Sequence, residues 1–583
     1  MCSHNPSEEL NKKRHSAAHL LAMAVREIRP DALFGIGPIV DDGFYYDIET
    51  AQPITEADLK QIEKRMKKMI SHNIPFERSE ISIAEAKGQF KDQKYKLELI
   101  DDLATSGEAI VSVYTSKDFA DLCRGPHVEN SKEIDASALK ITRLAGAYWK
   151  SDEKREQLTR IYGVLFDTKE ELDIYLARIE EAKRRDHRKL GKELDLFTFS
   201  ELVGGGLPLF TPKGTLLRDL IVEKIQNLQK KFGYQKVTIP HITKKDLYEK
   251  SGHWAKFGDE LFKVKGQSDQ EFVMKPMNCP HHTQIYASHQ RSYRDLPVRY
   301  METTMVYRDE QAGELLGLSR VRSISQDDGH VFCTPAQIET EVGGIVSVIK
   351  DFYTSLNMFN EGDYWVSVSV RNPKTPEKYL GDPAKWDKAE KTLEDIAKKE
   401  NLPYKRVEGE AAFYGPKLDF MFRDAIGREW QLATAQLDFV MPERFGLEYT
   451  DETNAKQTPV MLHRAIAGSL ERFLSVIIEH FAGAFPLWLS PVQIVVIPVS
   501  DKFNDYGKEV CDRLMQDDFR VELYDQSETL GKRVRVAQKE KVPYILVVGE
   551  KEVADKTVSI RSRENDDEGT TSVDDFITKL QSQ

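Results

Sequence analysis

Between Tyr300 and Tyr307 the residues alternate, Tyr300, Thr304 and Val306 interleaving with Met301, Thr303, Met305 and Tyr307, in a run rich in β-branched and aromatic side chains. That is the period of a strand. A glycine-bearing loop over 309–317 and a second strand-like run over 319–325 complete a long-looped antiparallel hairpin. Arg308 stands at one root, Arg320 and Arg322 at the other, and Gln326, Asp327, Asp328 and His330 lie just beyond. WVSVSVR (365–371) is a further alternating strand, and AAFYGPKLDFMFRDAIGREWQLATAQLDF (411–439) reads as two strands about a turn at 424–427. Helical spacing predicts helices near 16–28, 56–70, 215–232 and 384–400, and a last one in HRAIAGSLERFLSVIIEHF that carries His463, Gly468 and Arg472. FGIGPIVDDGFYYDIE reads as a hairpin turning at Asp42-Gly43. VQIVVIPVS and PYILVVGE are continuous apolar runs alternating with helices, as in buried parallel βαβ units.

These patterns divide the chain. Residues 1–175 read as an α/β unit, 176–195 as an exposed linker helix with six Lys/Arg between Lys183 and Lys192, 196–488 as the largest unit, and 489–583 as a separate α/β module. The module carries a basic cluster of Lys532, Arg533, Arg535, Lys539 and Lys541. A chain of 583 residues exceeds the natural size of one core, so several domains are expected. A net charge of -12 excludes a non-specific polyanion binder and leaves local patches for any nucleic acid. Five scattered cysteines argue against a disulfide framework and for a reducing compartment. The apolar run from Ala17 to Val25 is interrupted by His19 and reads as an amphipathic helix rather than a leader; Ser475 to Val499 is broken by charges and prolines, so no membrane span is expected.

Candidate chemistry clusters at three places. His15 and His19 share a helix face, and DLCRGPH places Cys123 and His127 four apart beside Asp121. Those residues could hold a tetrahedral zinc or orient a water in a metal-free hydrolytic pocket, and spacing leaves both open. FVMKPMNCPHH offers Cys279, His281 and His282; the two late strands offer Lys417, Gln431, Thr434 and Gln436. The arginines about the hairpin loop suit a polyphosphate, because guanidinium forks match phosphate oxygens. No strand–GxxxxGK–helix and no GxGxxG opening a helix is present, against a P-loop or a dinucleotide fold.

PMNCPHH, VYRDE with RVRSISQDDGHVF, WQLATAQLDF and HRAIAGSLERF, in that order, together with HSAAH and DLCRGPH at the front, resemble the threonyl-tRNA synthetase family of class II aminoacyl-tRNA synthetases over nearly the whole chain. The resemblance implies an α+β multidomain protein: an α/β editing domain (1–175), a linker helix (176–195), a catalytic antiparallel sheet flanked by helices (196–488) and an α/β anticodon-binding domain (489–583). It implies ATP-dependent ligation of L-threonine to tRNA(Thr) by a cytoplasmic homodimer, with Mg2+ accompanying ATP. Arg308 and Arg472 would hold the phosphates, with Arg320, Ile324 and Gln431 lining the nucleotide site. Met277, Gln326, Asp328, Tyr414, Thr434 and Gln436 would meet threonine. Cys279, His330 and His463 would bind one zinc, which discriminates threonine from valine by its hydroxyl. His15, His19, Asp121, Cys123 and His127 would form a metal-free pocket hydrolysing mischarged Ser-tRNA, and Glu528 and Arg535 would read the anticodon. Two departures are expected: the small N-terminal ubiquitin-like domain usual in the family is missing, and Ile324 stands where an aromatic usually stacks on adenine. A non-catalytic tRNA-binding regulator and a hydrolase using only the front domain are the competing readings; the intact arginines and zinc ligands speak against both.

Overall fold

The computed structural model describes residues 7–267 and 270–582. It divides into two compact units between Glu181 and Ala182.

In the N-terminal unit, the first helix runs Glu8–Ile28. It starts a full two turns before the expected residue 16 because Ser7 caps it, accepting the Leu10 amide at 3.0 Å, with Glu8 and Glu9 in the first turn. Its Ala17–Val25 stretch is buried against strands Gly43–Glu49, Leu139–Tyr148 and Gln157–Leu165 and helix Glu56–Ser71, which explains the apolar run. Ile39–Val40 and Gly43–Glu49 form the expected hairpin, with the turn one residue earlier than expected, at Asp41-Asp42, and Gly43 already paired with Val40. A second sheet, in the order Glu77–Ser82, Ile110–Ser116, Phe119–Leu122, ends at the DLCRGPH segment.

The expected linker helix is two helices, Lys169–Arg185 and His187–Glu193, broken at Asp186, whose side chain caps the second. The expected boundary at 175 falls inside the first of them.

The second unit is built on an eight-stranded sheet. Its order is Gln235–Lys236, Val298–Tyr307, Ser323–Cys333, Val460–Ala465, Glu429–Asp438, Lys417–Arg423, Tyr364–Val370, Tyr404–Glu408, antiparallel inside with a parallel pair at each edge. Helices Pro212–Lys230, Ile338–Thr354, Pro383–Lys399 and Leu470–His480 bury one face of it in a single core, which includes Ile221, Ile345, Leu393 and Phe473. The other face carries Glu302, Gln326, Asp328, His330 and His463 beside a second apolar cluster that includes Tyr300, Phe332 and Met461.

Two expectations change here. The second hairpin strand is Ser323–Cys333, not 319–325, and Gln326, Asp328 and His330 sit on it rather than beyond it. The strand was hard to see because its buried face holds Asp327, neutralised by Arg464 at 2.6 Å, so alternation gives polar on both sides. His463 lies on strand Val460–Ala465, not on a helix. The helix begins only at Leu470, after Gly468 takes a positive φ of 64° and Ser469 caps it.

The C-terminal part of this unit has parallel strands Val521–Leu523, Ile494–Pro498 and Tyr544–Val548, as the apolar runs predict. Antiparallel strands Thr557–Ser562 and Thr570–Ser572 extend them.

Candidate active and editing sites

Period-two geometry puts Ile324, Gln326, Asp328 and His330 on one face of strand Ser323–Cys333. Sheet register then aligns His330 with His463, and His463 with Gln436, in one row across three strands. Cys279, at the start of helix Cys279–Ala287, completes a cluster whose donor atoms lie within 4.8 Å of one another.

With one proton on each ring, hydrogen bonds to the neighbouring carboxylates assign the protons of this cluster as follows. Asp438 Oδ2 accepts from His463 Nε2 at 2.8 Å, so Nδ1 carries a lone pair. Glu302 Oε2 faces His282 Nε2 at 3.4 Å, and His282 Nδ1 in turn accepts from His330 Nδ1 at 2.7 Å, so His330 Nε2 carries a lone pair. These two lone pairs meet at 3.0 Å in a site where His330 is only 1% exposed. Facing acceptors in a dry pocket repel unless a cation lies between them. Burial first, then His282 and His463, keep the His330 pKa well below the ordinary imidazole value. Burial, then Asp328 and Asp438, push the Cys279 thiol well up. A dication would reverse that and hold the thiolate. One sulfur, two imidazoles and an outer carboxylate on each histidine chain fit zinc with an open position.

The remaining catalytic candidates gather on the same face. Asp328 Oδ2 accepts from Asn278 at 3.0 Å, and burial raises its pKa. Gln326 leaves its buried Oε1 without a partner. Gln431, Thr434 and Gln436 face the same way although 431 breaks the parity, because a bulge opposite Phe420 and Met421 adds a residue. Gln431 and Thr434 both donate to Asp419 Oδ1, at 2.8 and 2.7 Å, while Lys417 and Ser369 each reach Oδ2 at 2.9 Å. Tyr414 donates to Gln436 at 2.6 Å and stacks on His463.

Arg308 leaves the end of strand Val298–Tyr307 and approaches Met277 Sδ at 3.2 Å. Desolvation, with Arg472 adding to it against Glu260 and Glu310, lowers its pKa. Arg472 donates to the Ser319 carbonyl at 3.3 Å, and its pKa too is lowered, by desolvation and then Arg320. Cations that depress one another mark a place for an anion. Arg320 itself is paired with Glu310 at 2.7 Å and Glu314 at 3.0 Å, and Ile324 packs half-buried opposite Val306.

In the N-terminal unit His15, His19, Cys123 and His127 converge within 4.8 Å. His15 Nδ1 donates to the Pro126 carbonyl at 3.2 Å and His127 Nδ1 to Ser16 Oγ at 3.1 Å. Both Nε2 atoms thus turn lone pairs to Cys123 Sγ, at 3.2 and 3.3 Å. One thiol proton serves two acceptors. His19 Nε2 lies 3.3 Å from Asp121, which also takes Lys96 and, at 2.5 Å, the Tyr46 hydroxyl. Burial lowers the pKa of all three histidines, and it raises Cys123 to about 11, so the site is imidazole and thiol near neutrality.

Sequence reasoning missed several of these groups. Lys96 is 3% exposed on the apolar side of helix Lys94–Thr105, one turn from Ile100, and a lysine on that stripe was the available signal. Tyr46, Asn278, Asp419 and Asp438 looked like ordinary strand or cap residues. His253, buried with Nε2 at 3.7 Å from Cys279 Sγ, had none. In the C-terminal part Glu528 is exposed and pairs with Lys532 at 2.6 Å, and Arg535 is exposed. Arg533, expected in the basic patch, is instead buried and donates to the Tyr524 carbonyl at 2.7 Å.

An antiparallel sheet backed by helices, with arginines over one face, defines a class II synthetase core. Family profiles agree: residues 262–481 match the tRNA synthetase class II core domain (G, H, P, S and T), 493–583 the anticodon binding domain, and 111–162 the threonyl and alanyl tRNA synthetase second additional domain. The chain is 48% identical to threonine–tRNA ligase of Gloeobacter violaceus, over 98% of this chain and 92% of that one. It is 47% identical to the threonine–tRNA ligase of Porphyromonas gingivalis, over 97% and 86%. A crystal structure of the RNA binding domain of threonyl-tRNA synthetase from Cryptosporidium parvum Iowa II superposes with a TM-score of 0.64 at 36% identity, over 68% of this chain and 98% of that one. The chain belongs to the threonine–tRNA ligase family.

Proposed function

We propose that the chain ligates L-threonine to tRNA(Thr) through a threonyl-adenylate and hydrolyses mischarged Ser-tRNA(Thr) at its N-terminal site. The observation that carries the first part is the convergence of Cys279, His330 and His463, whose donor atoms lie within 4.8 Å of one another on one face of the sheet. Zinc held by those three residues would supply a Lewis-acidic position for the amine and hydroxyl of threonine, which valine cannot complete. Gln326 and Asp328 receive the amine, and Tyr414, Thr434, Gln436 and Met277 bound the side chain. Arg308 meets the α-phosphate and the carboxylate side; Arg472 meets the γ-phosphate; Gln431, Arg320 and Ile324 line the nucleotide, whose phosphates bring Mg2+. As carboxylate oxygen attacks the α-phosphorus, Arg308 and Arg472 stabilise the charge that develops, which is positioning and electrostatics rather than covalent chemistry.

Serine also has a hydroxyl and is smaller, so a second sieve is required. The single Cys123 thiol proton serves one of the neutral His15 and His127 rings and leaves the other to accept from a water and turn it towards the seryl ester, while His19, Asp121 and Lys96 form a buried, mutually bonded group beside them. Cys123, kept as a thiol, orients rather than attacks. Exposed Glu528, just before helix Leu530–Lys539, and exposed Arg535, midway along it, are offered to the anticodon.

A homodimer is supported by the exposed apolar segment with Phe199, Leu202, Val203 and Leu209. A cytoplasmic setting is supported by free thiols at Cys123, Cys279, Cys333 and Cys511. No described helix is long and apolar enough to cross a membrane.

The test is Cys279→Ala. Zinc content falls and threonine-dependent ATP–pyrophosphate exchange is lost, while deacylation of Ser-tRNA persists. Unchanged zinc content and exchange would sink the assignment of the metal.

A further inference from the structure

His187 belongs to none of the motifs and is buried at the start of helix His187–Glu193. Glu479 Oε1 accepts both its backbone N–H at 3.0 Å and its Nδ1–H at 2.6 Å. The ring proton is therefore on Nδ1, and the lone pair on Nε2 accepts the Leu318 amide at 3.0 Å. Both nitrogens are committed, so the proximity of Asp186, His187 and Glu479 is a hydrogen-bonded joint and not a cation site. Glu479 is itself braced by Arg428, which also holds Asp424 at 2.6 Å.

What this joint holds is the loop between the hairpin strands. The Leu318 amide goes to His187, the Ser319 carbonyl accepts from Arg472 at 3.3 Å, and the Ser319 hydroxyl donates to Ser475 at 2.9 Å. The next residue is Arg320. Glu479 and Arg472 stand two turns apart on the same helix, Leu470–His480, so one helix carries both the phosphate arginine and the brace of His187. Gly317, at a φ of 49°, has no room for a side chain: a Cβ there would stand 2.3 Å from His187 Nε2.

We propose that His187 is a positioning residue for ATP, fixing through the Leu318 amide the loop that sets Arg320 against Arg472. This rests on the assignment of those arginines to the nucleotide. Removing the acceptor leaves a buried amide unpaired and frees the loop, while the threonine face, on strands Ser323–Cys333 and Glu429–Asp438, stays in place.

The test is ATP–pyrophosphate exchange by the full chain. His187→Ala raises KM for ATP by about tenfold and leaves KM for threonine within about twofold. His187→Gln, whose amide oxygen reaches the same amide, restores most of the loss. Gly317→Ala pushes on the contact from the loop side and also raises KM for ATP, so it decides the matter by the same criterion if His187→Ala does not fold. Wild-type KM for ATP in His187→Ala and Gly317→Ala, equal rises in both Michaelis constants, or no rescue by glutamine would overturn the proposal. Arg472→Ala separates the two readings: if it leaves KM for ATP unchanged, the arginine assignment fails; if it raises KM for ATP and His187→Ala does not, only the role of His187 fails.

Discussion

Asp438 does two jobs at once. Its Oδ1 accepts the amides of Val440 and Met441 at 2.8 Å each, and its Oδ2 accepts from His463. Asn at this position keeps an oxygen for the amides and turns an NH2 against His463, forcing the ring proton onto the atom that should face the metal. Asp438→Asn is expected to weaken zinc binding by roughly tenfold to a hundredfold, read as faster release to a chelator with the melting temperature little changed. At the other site the three lowered histidines set the pH response. Their neutral forms are the acceptors, so Ser-tRNA deacylation should be level through neutrality. It should fall only below the ordinary imidazole value of about 6.5, as His15 and its neighbours protonate. A rise of roughly tenfold per pH unit towards pH 9 would instead point to attack by the Cys123 thiolate, whose fraction climbs that way below a pKa of about 11. Residue types show the N-terminal cluster but not its wiring: His15, His19, Cys123 and His127 are legible as paired i, i+4 spacings, whereas nothing in the spacing marks Asp438, beside the other cluster, as more than a helix cap.

The elements explain why the rest was hidden. Cys279, His330 and His463 sit on a helix and two strands whose register alone makes them neighbours. No spacing rule reaches across such separations, and only the family resemblance brought them together beforehand. The alternating strands at 300–307 and 364–370 and the paired strands about 424–427 were plain in the sequence because each has one apolar face. Strand Ser323–Cys333 does not show an apolar face in the sequence because Asp327 and Arg464 neutralise each other inside the core. Gly468 is the corresponding device at the next strand end. Its positive φ separates His463 on the strand from Arg472 on the helix, its carbonyl accepts the Asp327 amide at 2.9 Å, and a Cβ would come 3.0 Å from the Leu432 carbonyl. Gly468→Ala is expected to cost about 1–2 kcal/mol in urea unfolding and to raise KM for ATP through Arg472 more than KM for threonine.

At the scale of the molecule, the eight-stranded sheet spends one face on its helical core and leaves the other for chemistry. The same unit leaves Leu202 fully exposed with Phe199, Val203 and Leu209 nearby in sequence. On the proposed homodimer, Leu202→Asp should lower the sedimentation coefficient towards that of one chain, and an unchanged coefficient would remove this segment from the proposed interface. The central claim, that the chain activates threonine and selects it by its hydroxyl, is tested most directly by amino-acid-dependent ATP–pyrophosphate exchange with threonine, serine and valine side by side. The account predicts exchange with threonine, weaker exchange with serine and almost none with valine. No threonine-dependent exchange, or valine supporting it as well as threonine, would contradict it.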